Sequence, residues 1–564
     1  MVRTALRANP TRQRVSVAGT IPAPVKGWMA LDSLAKMPED SAVKLVNWFP
    51  TPTDVALRRG SQMWAQNISG AVTTLMVWNG PTSQKLFAVG GGKIWDATEQ
   101  SFEQETLWDV FPGALQPATE WDTPTPEPVE TLWDDALIDN KVDTGVISSD
   151  DWWQWINFAN SGGHWLVAVN GAQQRQLYNG TGWATTPAIT GVDSAKLINV
   201  FDHKRRIWFI ERDSTRAWYL DTDAIGGAAT MFDLGPLMSA GGKLIAGGSW
   251  TIDGGFGPDD YAFFLTSEGQ LIAYQGTNPS DASNWAIKGT WQIGRPLGYR
   301  CLTKVGADIA ITCEDGVISL AKSLTLDRSS AQQAAITKNI QAAFNDSVRA
   351  TGALRGWQLM SYPVGTMAIV NVPTSANTGV QYVMNTITGA WCQFQGMNAA
   401  CWALMDGKAY FGTWDGQVGL SDNGVSDVGS ESLSADIVTA FNYLKPQAQQ
   451  KQIKMLRPVI QGDTTVSPAV DVSTDFSIRT PQGVLSPIIP NGPRWDFAIW
   501  DQAVWTDETP QVRLEWTTVF GLGYTFAATM NLTVTPPLGR NDLIEGVDVR
   551  VVSFDTIYEQ GALM

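Results

Sequence analysis

Thr386–Leu420, TITGAWCQFQGMNAACWALMDGKAYFGTWDGQVGL, sets short apolar runs against Asp-Gly turns and places a tryptophan in nearly every run. Ala403-Leu404-Met405 leads into Asp406-Gly407, Ala409-Tyr410-Phe411 into Trp414-Asp415-Gly416, and Val418 and Leu420 follow. Asp and Gly both tolerate the positive φ of a two-residue hairpin turn, so Asp-Gly between apolar runs reads as antiparallel strands, not helix. The stretch is a β-meander.

Looser copies of it fill the chain. Thr74–Trp78 meets Asn79-Gly80, Lys85–Val89 meets Gly90-Gly91-Gly92, Leu166–Val169 meets Asn170-Gly171, and Arg175–Tyr178 meets Asn179-Gly180. Arg206–Ile210, Tyr261–Leu265, Ile309–Cys313 and Thr366–Val370 start further units, spaced roughly 35 to 57 residues apart after a first interval of about 92. Small sheets repeated at that period cannot each bury two faces alone and must stack on their neighbours, which is the pattern of propeller blades. The expected fold is all-β: an irregular β-propeller of about six to eight blades, with an inserted helix and a C-terminal β-sandwich or platform domain. A large sandwich, or two unrelated β domains, is the alternative on spacing alone.

Composition narrows the function classes. The 564 residues hold 44% hydrophobic side chains and 26 Trp, enough for well-formed cores in two or three domains. Cys301, Cys313, Cys392 and Cys401 form no Cys-x-x-Cys pair and sit in strand-like runs, as reduced core residues of a protein assembled in a cytosol do. No run of about 20 apolar residues is present to span a bilayer, and MVRTALRANPTRQRVSVAG lacks the apolar core of a signal peptide. With a net charge of −16, the surface repels nucleic acid.

In chain order, residues 1–65 read as an extended arm and lead-in. Arg3, Arg7, Arg12 and Arg14 precede the first acidic residue, Asp32, which suits an arm that docks on an acidic neighbouring subunit. The propeller is expected over 66–425. Within it, 99–155 carries fourteen Asp or Glu against the single Lys141, together with Trp108, Trp121, Trp133, Trp152, Trp153 and Trp155. So many large apolar rings need a surface to cover them, so this acidic insertion between blades is expected to pack on a neighbour or distal partner, or as a lid over its own propeller. Ile336, Ile340, Phe344 and Val348 recur every four residues and predict one helix over about 330–348, capped by Ser329 or Ser330 and ended by Gly352. SDNGVSDVGSESLSAD, from Ser421 on, reads as a polar linker, and 426–564 alternates as a β-sandwich.

Three stretches carry a resemblance. The first is IPAPVKGW (Ile21–Trp28), MPEDSAVKLVNWFP (Met37–Pro50) and VALRRG (Val55–Gly60). The second is GWQLMSYPVGTMAIVNVP (Gly356–Pro373) followed by YVMNTITGAWCQF (Tyr382–Phe394), and the third RWDFAIWDQAVW (Arg494–Trp505) with LEWTTVFGLGYTFAATMNL (Leu514–Leu532). In order and motif the chain resembles the tail hub or nozzle proteins of short-tailed bacteriophages, also called packaged-DNA-stabilisation or tail tubular proteins. The resemblance implies a structural virion protein in the tail, assembled in the host cytoplasm as a homo-oligomer of six copies. It implies an adaptor (head-to-tail connector) ring above and a tail needle, plug or tail fibres beyond. Double-stranded DNA would be retained, then conducted without sequence recognition during ejection.

Catalytic signatures are weak. His164 and His203 lie among strand residues with no nucleophile motif beside them. Gly91-Gly92-Lys93 and Gly241-Gly242-Lys243 fail as phosphate loops, because Ile94 and Leu244 stand where Ser or Thr must reach magnesium. Asp221 with Asp223, and Asp259 with Asp260, lack the spaced oxygen ligands of a calcium loop. No catalytic residue, metal or cofactor is expected. The alternatives are a carbohydrate-binding propeller, with Trp152, Trp153 and Trp155 stacking on sugars, and a propeller glycoside hydrolase using two facing carboxylates.

Overall fold

Seven antiparallel blades follow one another among the described residues of this computed structural model, six as separate small sheets and the sixth joined through Val46 and Gln393 to sandwich strands in one nine-stranded sheet. The structure describes residues 16–30, 33–100, 102–103, 137–138, 140–253, 258–306, 308–324, 328–428, 432–462, 464–481, 485–487, 489–490, 511–535 and 548–561. The first blade is built from Thr74–Asn79, Gln84–Gly90, Lys93–Asp96 and Val142–Ile147, and the second from Gln154–Asn160, Gly163–Val169, Gln176–Tyr178 and Trp183–Ala184. The third and fourth begin at Leu197–His203 and Leu244–Asp253 and keep four strands each. Among the described residues three strands, Leu302–Val305, Asp308–Cys313 and Gly316–Ser319, make the fifth. The sixth starts at Gln358–Tyr362 and the seventh at Ala399–Met405.

Ring closure is decided by a strand from far upstream. Ser61–Ala65 pairs antiparallel with Val418–Ser421 as the outermost strand of the seventh blade. Apolar clusters then join every neighbouring pair of blades. Phe87 shares a cluster with Leu166, Val167 with Phe209, Trp208 with Phe264, and Phe263 with Ile311. Val317 shares one with Leu359, Ile369 with Phe411, and Tyr410 with Leu75 back in the first blade. The molecule is therefore a seven-bladed propeller. Most unit starts read from the sequence fall on second strands, since the first strand of a blade, facing the axis, carries polar residues such as Asn199 and Gln358 that mask its apolar alternation.

The expected lead-in over 1–65 is not a separate element. Its described part supplies Ser16–Pro22, Ala42–Val46, Trp48–Pro50 and Val55–Leu57 to the C-terminal sandwich. In one sandwich sheet Ser16–Pro22 and Val55–Leu57 pair with Val549–Gln560, which pairs in turn with Lys451–Gly462. In the other, Ala42–Val46 pairs with Leu433–Thr439 and also touches the sixth blade through Val46 and Gln393. One continuous core holds Trp48, Ile437, Leu456, Met530 and Phe554 together with Ile369 and Phe411 of the propeller.

At that junction residues 422–428, the described start of the expected linker, are a packed crossing and not free chain. Arg58 and Asp427 are each 2% exposed in the side chain and form a two-pronged pair at 2.9 and 2.5 Å. Arg58 also donates to Asn47 Oδ1 (2.8 Å), the Arg59 carbonyl (2.9 Å) and the Gln395 carbonyl (2.6 Å). Gly60 lets the two strands of chain meet, because a Cβ there would stand 2.1 Å from the Ser426 carbonyl oxygen.

The single helix expected over 330–348 is broken in two. Arg328–Gln333 and Gln341–Thr351 are α-helical, with a 3-10 turn at Lys338–Ile340 between them. Between the helices, Ile336 N–H donates to the Val317 carbonyl (2.9 Å) and Val317 N–H donates to Thr337 Oγ1 (3.2 Å). These bonds pull the chain onto the fifth blade. Ser329 and Ser330 lie inside the first helix and do not cap it, whereas Gly352 does follow the second, donating to the Val348 carbonyl (2.8 Å).

Candidate functional site: an axial cleft on the propeller

Loops from six blades converge on a cleft of roughly 1000 Å³ at one end of the propeller axis. The chain crosses to the sandwich at the other end, since Val418–Ser421 runs from the Trp414–Gly416 turn, beside Trp152, away from the cleft. Below the cleft a second cavity of roughly 290 Å³ continues along the axis between Asn199, Thr303, Gln358 and Trp402. Gln154, Tyr299 and Arg300 border both spaces and form the neck between them. A volume of that size holds a handful of waters at about 30 Å³ each, so the propeller axis is closed to a nucleic-acid duplex.

Four cations and three carboxylates line the cleft: Arg212, Lys243, Arg300 and Arg355 against Asp150, Asp151 and Asp213. Two pairs neutralise each other. Arg355 donates to both Asp150 oxygens (2.9 and 3.0 Å), and Lys243 Nζ lies 2.5 Å from Asp213 Oδ1, which holds the Asp213 carboxyl below its usual range. Among the described residues Arg300 forms no ion pair with a carboxylate, Asp150 acting on it only at a distance. The Arg300 hydrogen bonds go to the Thr73 carbonyl (2.7 Å), Thr74 Oγ1 (2.5 Å) and the Trp153 carbonyl (3.0 Å), and burial lowers its pKa. Among the described residues no carboxylate pairs with Arg212 either. Asp151 accepts from Gly92 N–H through Oδ2 (3.0 Å), while its buried Oδ1 has no partner.

The tryptophans singled out from sequence divide. Trp152 borders the cleft, with the guanidinium carbons of Arg300 and Arg355 at 5.0 and 5.8 Å from its ring centroid. Its π-surface is engaged within the chain. Trp153 is fully buried and donates to Ser148 Oγ (3.0 Å), and Trp155 donates to the Leu75 carbonyl (2.9 Å). Trp153 and Trp155 thus spend their indole N–H groups inside the chain, and Trp152 has two guanidiniums against its ring. The acidic insertion is correspondingly shorter than 99–155, because Val142–Ile147 is a blade strand and Gln154 begins the next blade. Trp108, Trp121 and Trp133, like Arg3, Arg7, Arg12 and Arg14, lie outside the described residues.

His203 bonds through both ring nitrogens, to Ser249 Oγ (2.8 Å) and the Gly276 carbonyl (3.2 Å), and burial lowers its pKa. Asp221, Asp223 and Asp260 are held by Arg206, Arg205 and Lys204. Among the described residues no group of three or more His, Cys, Asp or Glu is placed to hold a metal ion. Asp422, a carboxyl that burial lifts above its usual range, accepts from Tyr362 Oη beside the seventh blade and does not line the cleft.

All four cysteines are buried and unbridged. Burial pushes Cys301 and Cys313 up to about 12 and Cys401 to about 11. Because the thiolate is the reactive form, the folded protein is expected to leave a thiol reagent unreacted at mildly alkaline pH and to titrate four thiols in denaturant. Rapid labelling of any of them in the native protein would contradict the packing.

The cleft could not have been assembled from sequence, since its residues come from turns spread over 70–357 and nothing in their spacing brings them together. The fold and this site define a seven-bladed propeller fused to a β-sandwich, with a charged cleft at the free end of the axis. No protein-family model matches the chain, and no curated protein matches it. Among solved structures it is similar to a chain of the BBS1N complex with ARL6DN soaked with mercury, at 11% identity over 65% of this chain and 97% of that one, with a TM-score of 0.36. It is also similar to a chain of the nidogen/laminin complex, at 11% identity over 55% and 93%, with a TM-score of 0.28.

Proposed function

We propose that this protein is a structural component of a bacteriophage tail, a hub or nozzle subunit whose copies form a ring below the portal adaptor. The observation that carries the reading is a set of exposed apolar side chains on the outer face of one sandwich sheet. Along Thr517–Gly523 the side chains alternate, with Val519 inward and Phe520 (64% exposed) and Leu522 (50%) outward. Half-buried Met455 and Ile557 share that outer face, and Val552 extends it. Exposed apolar side chains on a sheet face that also carries the Arg457–Asp555 ion pair are the make-up of an interaction surface with a polar rim, and a ring of identical copies supplies a cover for it on every subunit. The motifs resembling the hub family run through this same unit, from Ile21–Gly60 to Leu514–Leu532.

Six copies, the neighbouring adaptor ring and a distal plug or fibre belong to the same reading. So does passage of DNA, which would run along the ring's axis, because the propeller's own axis is blocked. A chain with net charge −16 disfavours adhesion of the duplex in transit. The test is the solution mass of the full chain, alone and with adaptor ring, beside that of the Phe520→Glu/Leu522→Glu variant. Wild type is expected to form a ring, alone or on the adaptor, and the variant to remain monomeric with little change in thermal stability, since both side chains are exposed. A wild type that stays monomeric with every tail component overturns the proposal.

A further inference from the structure

Between the fourth and fifth blades the packing leaves a gap that shares no lining residue with the axial cleft. We propose that it is a binding site for a single-ring aromatic carboxylate, with the ring seated among apolar side chains and the carboxylate facing the Lys288 ammonium.

The gap follows from the strand count. The fourth blade ends on Trp285–Gln292, whereas the fifth, among the described residues, stops at its third strand and continues into the short helix Leu320–Ser323. The rim of the fourth blade therefore meets a helical turn where a fourth strand would stand. Phe263, Leu271 and Ala273 share a cluster with Ile311 and Leu320, and Trp291 and Leu324 pack against it. What stays open is a pocket of roughly 170 Å³, walled by Tyr261, Phe263, Ala273 and Trp291 of the fourth blade and by Leu320 and Leu324 after the fifth. Trp291 N–H donates to the Leu324 carbonyl (3.1 Å), which fixes the two walls against each other. Protein interiors leave few voids larger than a water molecule, so a gap of this size is a feature of the site and not ordinary looseness.

Volume and lining narrow the class. An apolar cavity of about 150 Å³ stays dry and takes up benzene, so this pocket admits one ring and not two. Tyr261, Phe263 and Trp291 offer ring edges and faces, which favour an aromatic occupant over a branched aliphatic one. The one charged residue of the lining is Lys288, on the outermost strand. Its Nζ stands 5.6 Å from the centroid of the Tyr261 ring, and among the described residues no carboxylate pairs with it. Lys288 is exposed, so a carboxylate that meets its ammonium keeps most of its hydration while the ring loses water. A neutral ring gains the burial alone, and a small aliphatic acid gains the charge alone.

The experiment is a ligand-detected NMR titration of the full-length protein with sodium benzoate, benzyl alcohol, sodium acetate and N-acetyl-phenylalanine amide, the last standing for the aromatic side chain of a partner protein. Benzoate is expected to saturate, with benzyl alcohol and the amide about threefold weaker and acetate at least about tenfold weaker. Lys288→Gln should weaken benzoate by about threefold and leave benzyl alcohol and the melting temperature unchanged, because the side chain is exposed. Ala273→Leu, folded as judged by its melting curve, should abolish both responses by filling the pocket. No saturable benzoate response, acetate, benzyl alcohol or the amide binding as tightly as benzoate, or wild-type benzoate affinity in Lys288→Gln would each overturn the proposal. It does not rest on the ring reading, and a monomer in the mass measurement would leave this titration unaffected.

Discussion

Asp427→Ala is expected to lower the unfolding free energy by about 3–5 kcal/mol, because it leaves the Arg58 guanidinium buried and unpaired. All five N–H donors of Arg58 are used: one to Asn47, two to the carbonyls of Arg59 and Gln395, and two to Asp427. Asp427 takes a further bond from Ser61 Oγ (3.2 Å), at the start of the strand that closes the propeller. One ion pair thus ties the closing strand to the chain that enters the sandwich. Equilibrium denaturation of the full chain checks the figure. Arg58→Met/Asp427→Leu should recover much of the loss, since it removes both buried charges together. A single variant within about 1 kcal/mol of wild type would mean that water reaches the pair.

Trp208→Ala should cost a similar amount, about 3–5 kcal/mol, through the cavity it opens between the third and fourth blades. The ring is fully buried, stacked 5.6 Å from Trp285, with Tyr219 at 4.8 Å and Phe264 at 5.6 Å between centroids. Its indole N–H has no hydrogen-bond partner, so the stabilisation is packing alone. Trp208→Phe should therefore cost under about 1.5 kcal/mol. If the phenylalanine variant is as unstable as the alanine one in the same denaturation, the packing account fails.

These two sites differ in how far they could be read in advance. Trp208 lies in RIWFIE, where the apolar run announces a core strand. Arg58 lies in VALRRG, where two arginines and a glycine read as surface chain. The carboxylate that buries Arg58 stands 369 positions away in a stretch with the composition of a linker. The same limit applies to the cleft. Trp152 stood out within an acidic, Trp-rich run and Lys243 behind a glycine pair that fails as a phosphate loop, but Arg212 and Arg300 carried no signal in the sequence.

What the sequence by itself determined is local. Asp-Gly and Asn-Gly turns specify where strands reverse, as at Asp406 (φ +50°) and Gly407 (φ +70°), and the alternation between turns specifies which side chains face a core. Repetition of that unit makes stacking of small sheets the way to bury both faces, and the all-β propeller follows. The tertiary structure alone decided which edges meet. Ser16–Leu57 could pair with any exposed strand and joins the C-terminal sandwich, Ser61–Ala65 completes the seventh blade, and turns from six blades bring Arg212, Arg300 and Asp151 around one axis. Every strand edge offers the same row of N–H and C=O groups, so the choice among partners is made by the burial that the assembled fold allows.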